Sequence, residues 1–208
     1  MLRLPEAHRC DHYAGLVIFS HDTELSLLAV VDLVNTAPVC GGTEGLRSAD
    51  TVREFVARHH FSGIDPSDYA DLPALYAVRD RLRTVFEAAP PATIASRVNA
   101  LVSAAPVSPR LTDHDGNDWH MHYFAPGASL ADHLSVDGGM ALAQVVTVGE
   151  TGRLRVCGAP DCQAVLVDLS RNRSKRYCDA RSCGNRLNVA AYRARKRLST
   201  PPLRDVVT

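Results

Sequence analysis

The sequence has no long apolar run. Its longest uninterrupted aliphatic stretch, Leu27 to Val31, is five residues, whereas a membrane span needs about 20, so no transmembrane helix is expected. An export signal is also missing: Leu16 to Phe19 is too short for an apolar signal core, and Asp11, Asp22 and Glu24 surround it. Signatures of catalysis are scarce. Gly41-Gly42 with Gly45 lacks the Gly-Lys-Ser/Thr ending of a phosphate loop. There is no nucleophile elbow, and the paired carboxylates Asp113 and Asp115 sit in a turn, where they commonly bond backbone. These absences lead us to expect a soluble, cytoplasmic protein with no membrane partner that is not an enzyme.

The 208 residues, 46% apolar and 22% charged, fit one or two globular domains and exclude a wholly disordered chain. The net charge is zero, but the sum hides a split. Met1 to Gly152 carries 10 Lys/Arg against 19 Asp/Glu, or −9, and Arg153 to Arg197 carries 12 against 3, or +9. The six cysteines allow three disulfides in principle. The absent export signal and the clustering of four of them favour a metal instead.

Hydrophobic spacing gives the elements. Leu25 to Thr36 reads as a helix facing the core through Leu25, Leu28, Val31 and Val34, followed by a loop over residues 38–43. Ser48 or Asp50 can cap a helix to about Arg58, with Val52, Phe55 and Val56 inward. Asp68 to Ala88 is the clearest helix, with Leu72, Leu75, Val78, Leu82, Val85 and Phe86 as its stripe and Arg79, Arg81 and Arg83 mostly off it. Thr93 to Val102 follows Pro90-Pro91 with Ile94, Val98 and Leu101 inward. Pro109 to Thr112 and Trp119 to Phe124 form a hairpin around the turn residues Asp113 to Asp118. Ala131 to Val148 is a long helix that Gly138-Gly139 can break, and residues 149–152 make the turn at which the charge changes sign. The domain boundary falls there, giving units 1–150 and 151–208.

The basic segment holds Cys157-x4-Cys162, fifteen intervening residues, then Cys178-x4-Cys183. Two close pairs with a short insert suit one tetrahedral four-thiolate zinc ion with no open position, hence a structural one. Four unrelated buried cysteines are the alternative. Val165 to Asp168 reads as a strand between the pairs, and Ser170 to Arg176 as a basic loop or strand edge. Asp179 can cap a helix to about Leu198, with Ala180, Cys183, Leu187, Ala190, Ala191, Ala194 and Leu198 on one face and Arg186, Arg193, Lys196 and Arg197 opposite. With four thiolates and one zinc, the segment stays near +7, and its cations are mostly arginines, whose forks suit phosphate. Arg171, Arg173, Lys175, Arg176, Arg186, Arg193 and Lys196 are therefore the candidate nucleic-acid contacts, and Arg186, near the helix start, the candidate base reader. Gly184 and Asn185 are assigned to the geometry around the metal, Asn185 by a hydrogen bond to backbone or a ligand sulfur. A basic face docked on the protein's own acidic part, or on a partner protein, is the competing reading.

The Cys183-Gly184-Asn185-Arg186 tetrad, the other three cysteines and the SRNRSKRYC run resemble the CGNR zinc-finger family over about Val156 to Arg197. Tyr177 stands where the resemblance leads us to expect Trp, which keeps an aromatic packing residue. The rest is similar to the ABATE domain, a proposed stress-induced transcription regulator, through the VVDLVNT stretch ending at Asn35-Thr36, the arginine-bearing Leu75 to Leu82 helix, and Asn99-Ala100-Leu101. The resemblance implies a bacterial, transcription-linked, nucleic-acid-binding protein.

His120-x-His122 lies on one strand face, with His114, Asp132 and His133 nearby in sequence. Half-exposed strand residues are the plain reading, and a second metal or ligand site the alternative. A pocket, if present, would be lined by Trp119, His120, His122 and Tyr123. His8-x-Cys10-x-His12 resembles a chelate near a terminus, and Cys40 reads as a lone thiol. The expected fold is α+β: a predominantly α N-terminal domain with a small β-hairpin, then a four-cysteine zinc module with a basic helix. The expected function is a zinc-dependent DNA-binding transcriptional regulator whose N-terminal domain dimerises, senses a small molecule, or both. The alternative is a metal-stabilised RNA-binding or protein-interaction module. Zinc removal is expected to unfold the basic module and leave much of the N-terminal domain folded.

Overall fold

Short polar side chains start most of the helices in this computed structural model, which describes residues 19–87, 90–113 and 119–199. Ser20 accepts from the Thr23 N–H to open α1 (His21–Asn35), and Ser48 and Thr51 form a reciprocal cap on α3 (Ala49–Arg58). Asp71 accepts from the Ala74 N–H at the start of α4 (Leu72–Phe86), and Ser129 caps α6 (Leu130–Thr147). Pro91 opens α5 (Pro91–Val102) without needing its missing N–H. The expected loop at residues 38–43 is largely one helical turn, α2 (Pro38–Gly41), closed by left-handed Gly42.

α6 is the spine. It packs against α5, α1 and α4, and carries the antiparallel hairpin of β1 (Val107–Thr112) and β2 (His120–Phe124) on another side. The hairpin register pairs Arg110 with His122 and Thr112 with His120. Its turn, residues 114–118 with His114, lies outside the described residues. Leu27, Leu33, Leu75, Leu82, Leu101 and Leu142 fill the core between the helices.

Four expectations are corrected here. The inward face of α1 is Leu27, Ala29, Val30, Leu33 and Val34, while Leu25 and Leu28 are exposed. A three-residue spacing drifts about 60° per step around a helix of 3.6 residues per turn, so Leu25 and Val34 end on opposite faces. The helix expected from Asp68 is divided: Pro66–Ala70 is a 3₁₀ turn, and α4 begins after Asp71. Arg79 does not lie off the stripe but is buried, held by Glu44 at 2.7 Å and Thr36 at 3.2 Å. Gly138-Gly139 does not break α6. Side chains there would meet Val30 Cγ2 at 2.7 Å and Val102 Cγ2 at 2.9 Å, so the pair lets α1 and α5 close onto the spine.

The C-terminal part is β3 (Leu154–Val156) paired antiparallel with β4 (Val165–Val167), the basic loop, and α7 (Cys183–Ser199). β4 was expected and β3 was not. These strands are built into the main core. Leu154, Val165 and Val167 belong to the same apolar cluster as Leu27, Leu82 and Leu142, and β4 packs on α1. The Asn35 side-chain amide clamps Val165, donating to its carbonyl at 2.9 Å and accepting from its N–H at 2.8 Å. Among the described residues no helix is long and apolar enough to cross a membrane.

Candidate functional site

Cys157 closes β3 and its N–H bonds the Ala164 carbonyl at 2.8 Å, so the first pair sits on a turn tied across the β3–β4 hairpin. The second pair is brought up by Tyr177-Cys178 and by the start of α7, where Cys183 is the first helical residue. Ser182 just before it takes a positive φ of 46°, a bend that redirects the chain into the helix. The Gly158 N–H donates to the Arg176 carbonyl at 2.8 Å and joins the two knuckles. All four sulfurs lie within 4.8 Å of one another and all four side chains are buried.

These residues fit a tetrahedral metal. The Cys162–Cys178 and Cys178–Cys183 sulfurs are 3.7 Å apart. A Zn–S bond of 2.3 Å gives a tetrahedron edge of about 3.8 Å, whereas a disulfide needs about 2.05 Å. Two of the four thiols resist ionisation, while at Cys162 burial is outweighed by hydrogen bonds from the Ala164 backbone and the neighbouring thiols, which lower its pKa. Burial, reinforced by the neighbouring thiols, pushes the Cys178 thiol up to about 12, and burial likewise raises Cys183. A divalent cation among them stabilises the thiolates. The Cys178 N–H donates to the Cys157 sulfur at 3.3 Å and the Arg186 guanidinium to the Cys183 sulfur at 3.5 Å, offsetting further charge. The site holds one structural zinc, with no position left for substrate.

Around the metal, the assignments divide. Gly184 packs on the aromatic ring before the second pair: a Cβ would lie 3.3 Å from Tyr177 Cδ2. Asn185 is exposed and, among the described residues, its side chain makes neither of the expected hydrogen bonds, to backbone or to a ligand sulfur. Arg186, expected to read a base, instead makes a two-pronged pair with Asp161 at 2.5 and 2.7 Å besides touching Cys183. That pair ties α7 to the first knuckle.

The basic loop over residues 170–176 is built. Asp168, fully buried, accepts from the Ser170 N–H and hydroxyl at 3.0 and 2.5 Å and from the Lys175 N–H at 3.0 Å. Burial opposes its charge, but these hydrogen bonds outweigh it and lower its pKa. Arg153, 1% exposed, donates to the carbonyls of Asp168 and Ser170 at 2.6 and 2.8 Å. Arg155 holds the carbonyls of Lys175 and Arg173. Arg153, Arg155 and Asp168 are thus scaffold, which sequence reasoning missed because arginines in a basic segment look alike. Glu150, after α6, grips Arg153 at 2.8 Å and Arg173 at 2.5 Å, and Lys175 pairs with Asp179 at 2.6 Å. Arg171, Arg193, Arg195 and Arg197 are exposed with no ion pair among the described residues.

α7 begins at Cys183, four residues after the expected cap Asp179, which lies in the preceding turns. Cys183 is buried and Leu187 half-buried, but every residue from 188 to 197 is exposed. Ala190, Ala191 and Ala194 are therefore exposed and do not pack inward as expected. The side chain of Leu198 lies outside the described residues.

A cavity of about 540 Å³ opens between the start of α1, the segment after α3, β2 and α6. Trp119, His120, His122 and Tyr123 all line it, Trp119 at the rim with 70% exposure. The partner of the histidines is Asp137, not Asp132, because Asp137 lies one turn after His133 on α6. His122 Nδ1 and His133 Nε2 approach its Oδ2 at 3.3 and 3.1 Å, and its Oδ1 accepts from the Tyr123 N–H at 3.0 Å. Burial opposes ionisation of Asp137, but these bonds outweigh it and bring its pKa down to about 2.

Comparison with known families agrees with this arrangement. The family described as "ABATE: Putative stress-induced transcription regulator" matches residues 28–149, well over half of the chain. The chain belongs to the ABATE family. The CGNR zinc finger matches residues 153–196 and covers all four cysteines of the metal centre. No curated protein matches the chain. The ABATE match includes Asn35, whose amide here holds the strand of the zinc module, and Arg83, which donates to the Gln163 carbonyl of that module at 3.0 Å.

Proposed function

We propose that this zinc-stabilised regulator binds DNA, with α7 as the element that enters the major groove and the basic loop on the flanking phosphates. The observation carrying this reading is the exposure of α7 on every side from residue 188 to 197, while its first turn is fixed to the metal centre. An exposed basic helix with a rigid root suits groove docking. Asn185, Val189, Tyr192 and Lys196 follow the three- and four-residue spacing of one helix face, and this face is the reading surface. Arg171, Arg176, Arg193 and Arg197 are the phosphate contacts. Arg186 is assigned to the metal centre, because its fork is engaged by Asp161. Among the described residues the acidic part of the chain competes little: Glu150 takes Arg153 and Arg173, and no carboxylate pairs with Arg193, Arg195 or Arg197. We read the protein as a cytoplasmic binding protein rather than a catalyst, with the cavity available to a small effector.

Anisotropy titration of the full-length zinc protein against duplexes selected from random DNA tests the proposal. Neutralising about five phosphates gives a slope of log affinity against log salt near −4.5. Arg171→Ala lowers that slope by about one and weakens all duplexes alike, and Asn185→Ala relaxes preference at one position at a cost of about 1–3 kcal/mol. Arg186→Ala leaves the slope unchanged and loosens zinc. Equal affinity for RNA and unrelated DNA would replace this reading with a nonspecific RNA-binding one. No binding at low salt would make α7 a protein-docking element.

A further inference from the structure

Five of the chain's nine histidines, His59, His60, His120, His122 and His133, line the one 540 Å³ cavity. Three elements of the fold converge there. β2 alternation puts His120 and His122 on the same side, and one helical turn of α6 puts His133 and Asp137 on the same face. His133 is 2% and His122 9% exposed, so neither is an ordinary surface histidine. Their nearest donor atoms and the Asp137 carboxylate lie within 4.8 Å of one another.

We propose that His122, His133 and Asp137 bind a divalent first-row transition-metal ion, a second metal distinct in chemistry from the four-thiolate zinc. Two imidazoles and one carboxylate form a borderline donor set that suits zinc, iron(II), cobalt, nickel or manganese. It does not suit calcium or magnesium, which take oxygen ligands. The orientation of the His122 ring agrees with this. His122 turns Nδ1 toward Asp137 and the opposite nitrogen, Nε2, toward His120 Nε2 at 3.1 Å. A metal-bound imidazole commonly hydrogen-bonds a neighbour through its other ring nitrogen, and His120 Nε2 lies within hydrogen-bond distance of that nitrogen. Asp137 Oδ1 is held by the Tyr123 N–H while Oδ2 faces both imidazoles. One oxygen is thus anchored and the other presented. Three protein donors leave coordination positions for water or for a small donor ligand, and the adjoining cavity has room for one.

The test uses full-length protein with its thiolate centre already loaded with zinc. It is dialysed separately against zinc, cobalt, nickel and manganese at micromolar free metal, and the bound metal is counted. The expected result is a second equivalent of at least one of these ions. Binding of that equivalent weakens by at least about tenfold in Asp137→Asn and in His122→Ala, and the first equivalent remains. A wild-type chain that stays at one equivalent with all four ions overturns the proposal. So does a second equivalent that both variants retain, which would place it elsewhere, for instance at His8, Cys10 and His12. Amide NMR of the wild type with cobalt or manganese needs no variant. Broadening centred on Tyr123 and Asp137 supports the site, and broadening elsewhere or none refutes it.

Discussion

Asp168 does more for the basic surface than any cation on it. Its carboxylate gathers Ser170, the Lys175 N–H and, at 3.4 Å, Arg155, so the loop between Arg171 and Arg176 is ordered around a buried negative charge. Asp168→Asn places an amide against donors and removes the carboxylate partner of Arg155, which keeps its carbonyl contacts. A loss of about 3 kcal/mol is expected, read by urea denaturation, together with faster tryptic cleavage after Arg171 and Arg173. The pH dependence has a definite sign. A carboxylate whose folded pKa is lowered stabilises the fold fully above the ordinary value of about 3.9, and that contribution is lost as pH falls through the folded value. The acid-side fall of stability should therefore be shallower in Asp168→Asn. If the two proteins titrate alike, Asp168 is not the organising charge.

At the scale of elements, α6 depends on two residues that look like a break. Gly138→Ala gains about 1 kcal/mol of helix propensity but drives a methyl to 2.7 Å from Val30 Cγ2, and overpacking costs about 1–3 kcal/mol. A net loss of up to about 2 kcal/mol is expected, measured as a lower Tm; a higher Tm would mean that α1 can step aside. The same pair shows the limit of sequence reading. Glycines in a helical pattern read as a kink because what they touch, Val30 for Gly138 and Val102 for Gly139, comes from other helices distant in sequence. Periodicity was enough for α3, α5 and the apolar stripe of α4 because those stripes are local, as with Val52, Phe55 and Val56 on α3. It misplaced the α1 face, where apolar residues occur nearly all round, and the inner face of α7, where an alanine stripe stays exposed. The metal ligands were legible because their spacing is itself the chemistry. Asp137 and the scaffold arginines were not, since their partners are set only by tertiary packing.

Across the whole molecule, the two family segments share one apolar core, and this changes the expected response to metal loss. A structural zinc contributes about 10–16 kcal/mol in isolated fingers, comparable with the entire stability of a domain. Chelation is therefore expected to release α7 and the knuckles and also to lower the Tm of the helical part, because Leu154, Val165 and Val167 leave the bundle with them. Circular dichroism melts of zinc-loaded and chelated protein, with metal content measured on each, check this. An unchanged bundle transition after chelation would restore the independent behaviour expected from sequence.

The Asn35 clamp on Val165 joins residues 130 positions apart. A contact of that span forms late, after the intervening chain has given up the freedom of a large loop. On a ribosome, α1 is complete long before β4 exists, and the apolar surface that β4 will cover waits open through most of synthesis. Refolding should accordingly be slow for a mainly helical chain of this size, and the step that limits it should be the arrival of the last strands rather than the winding of the helices.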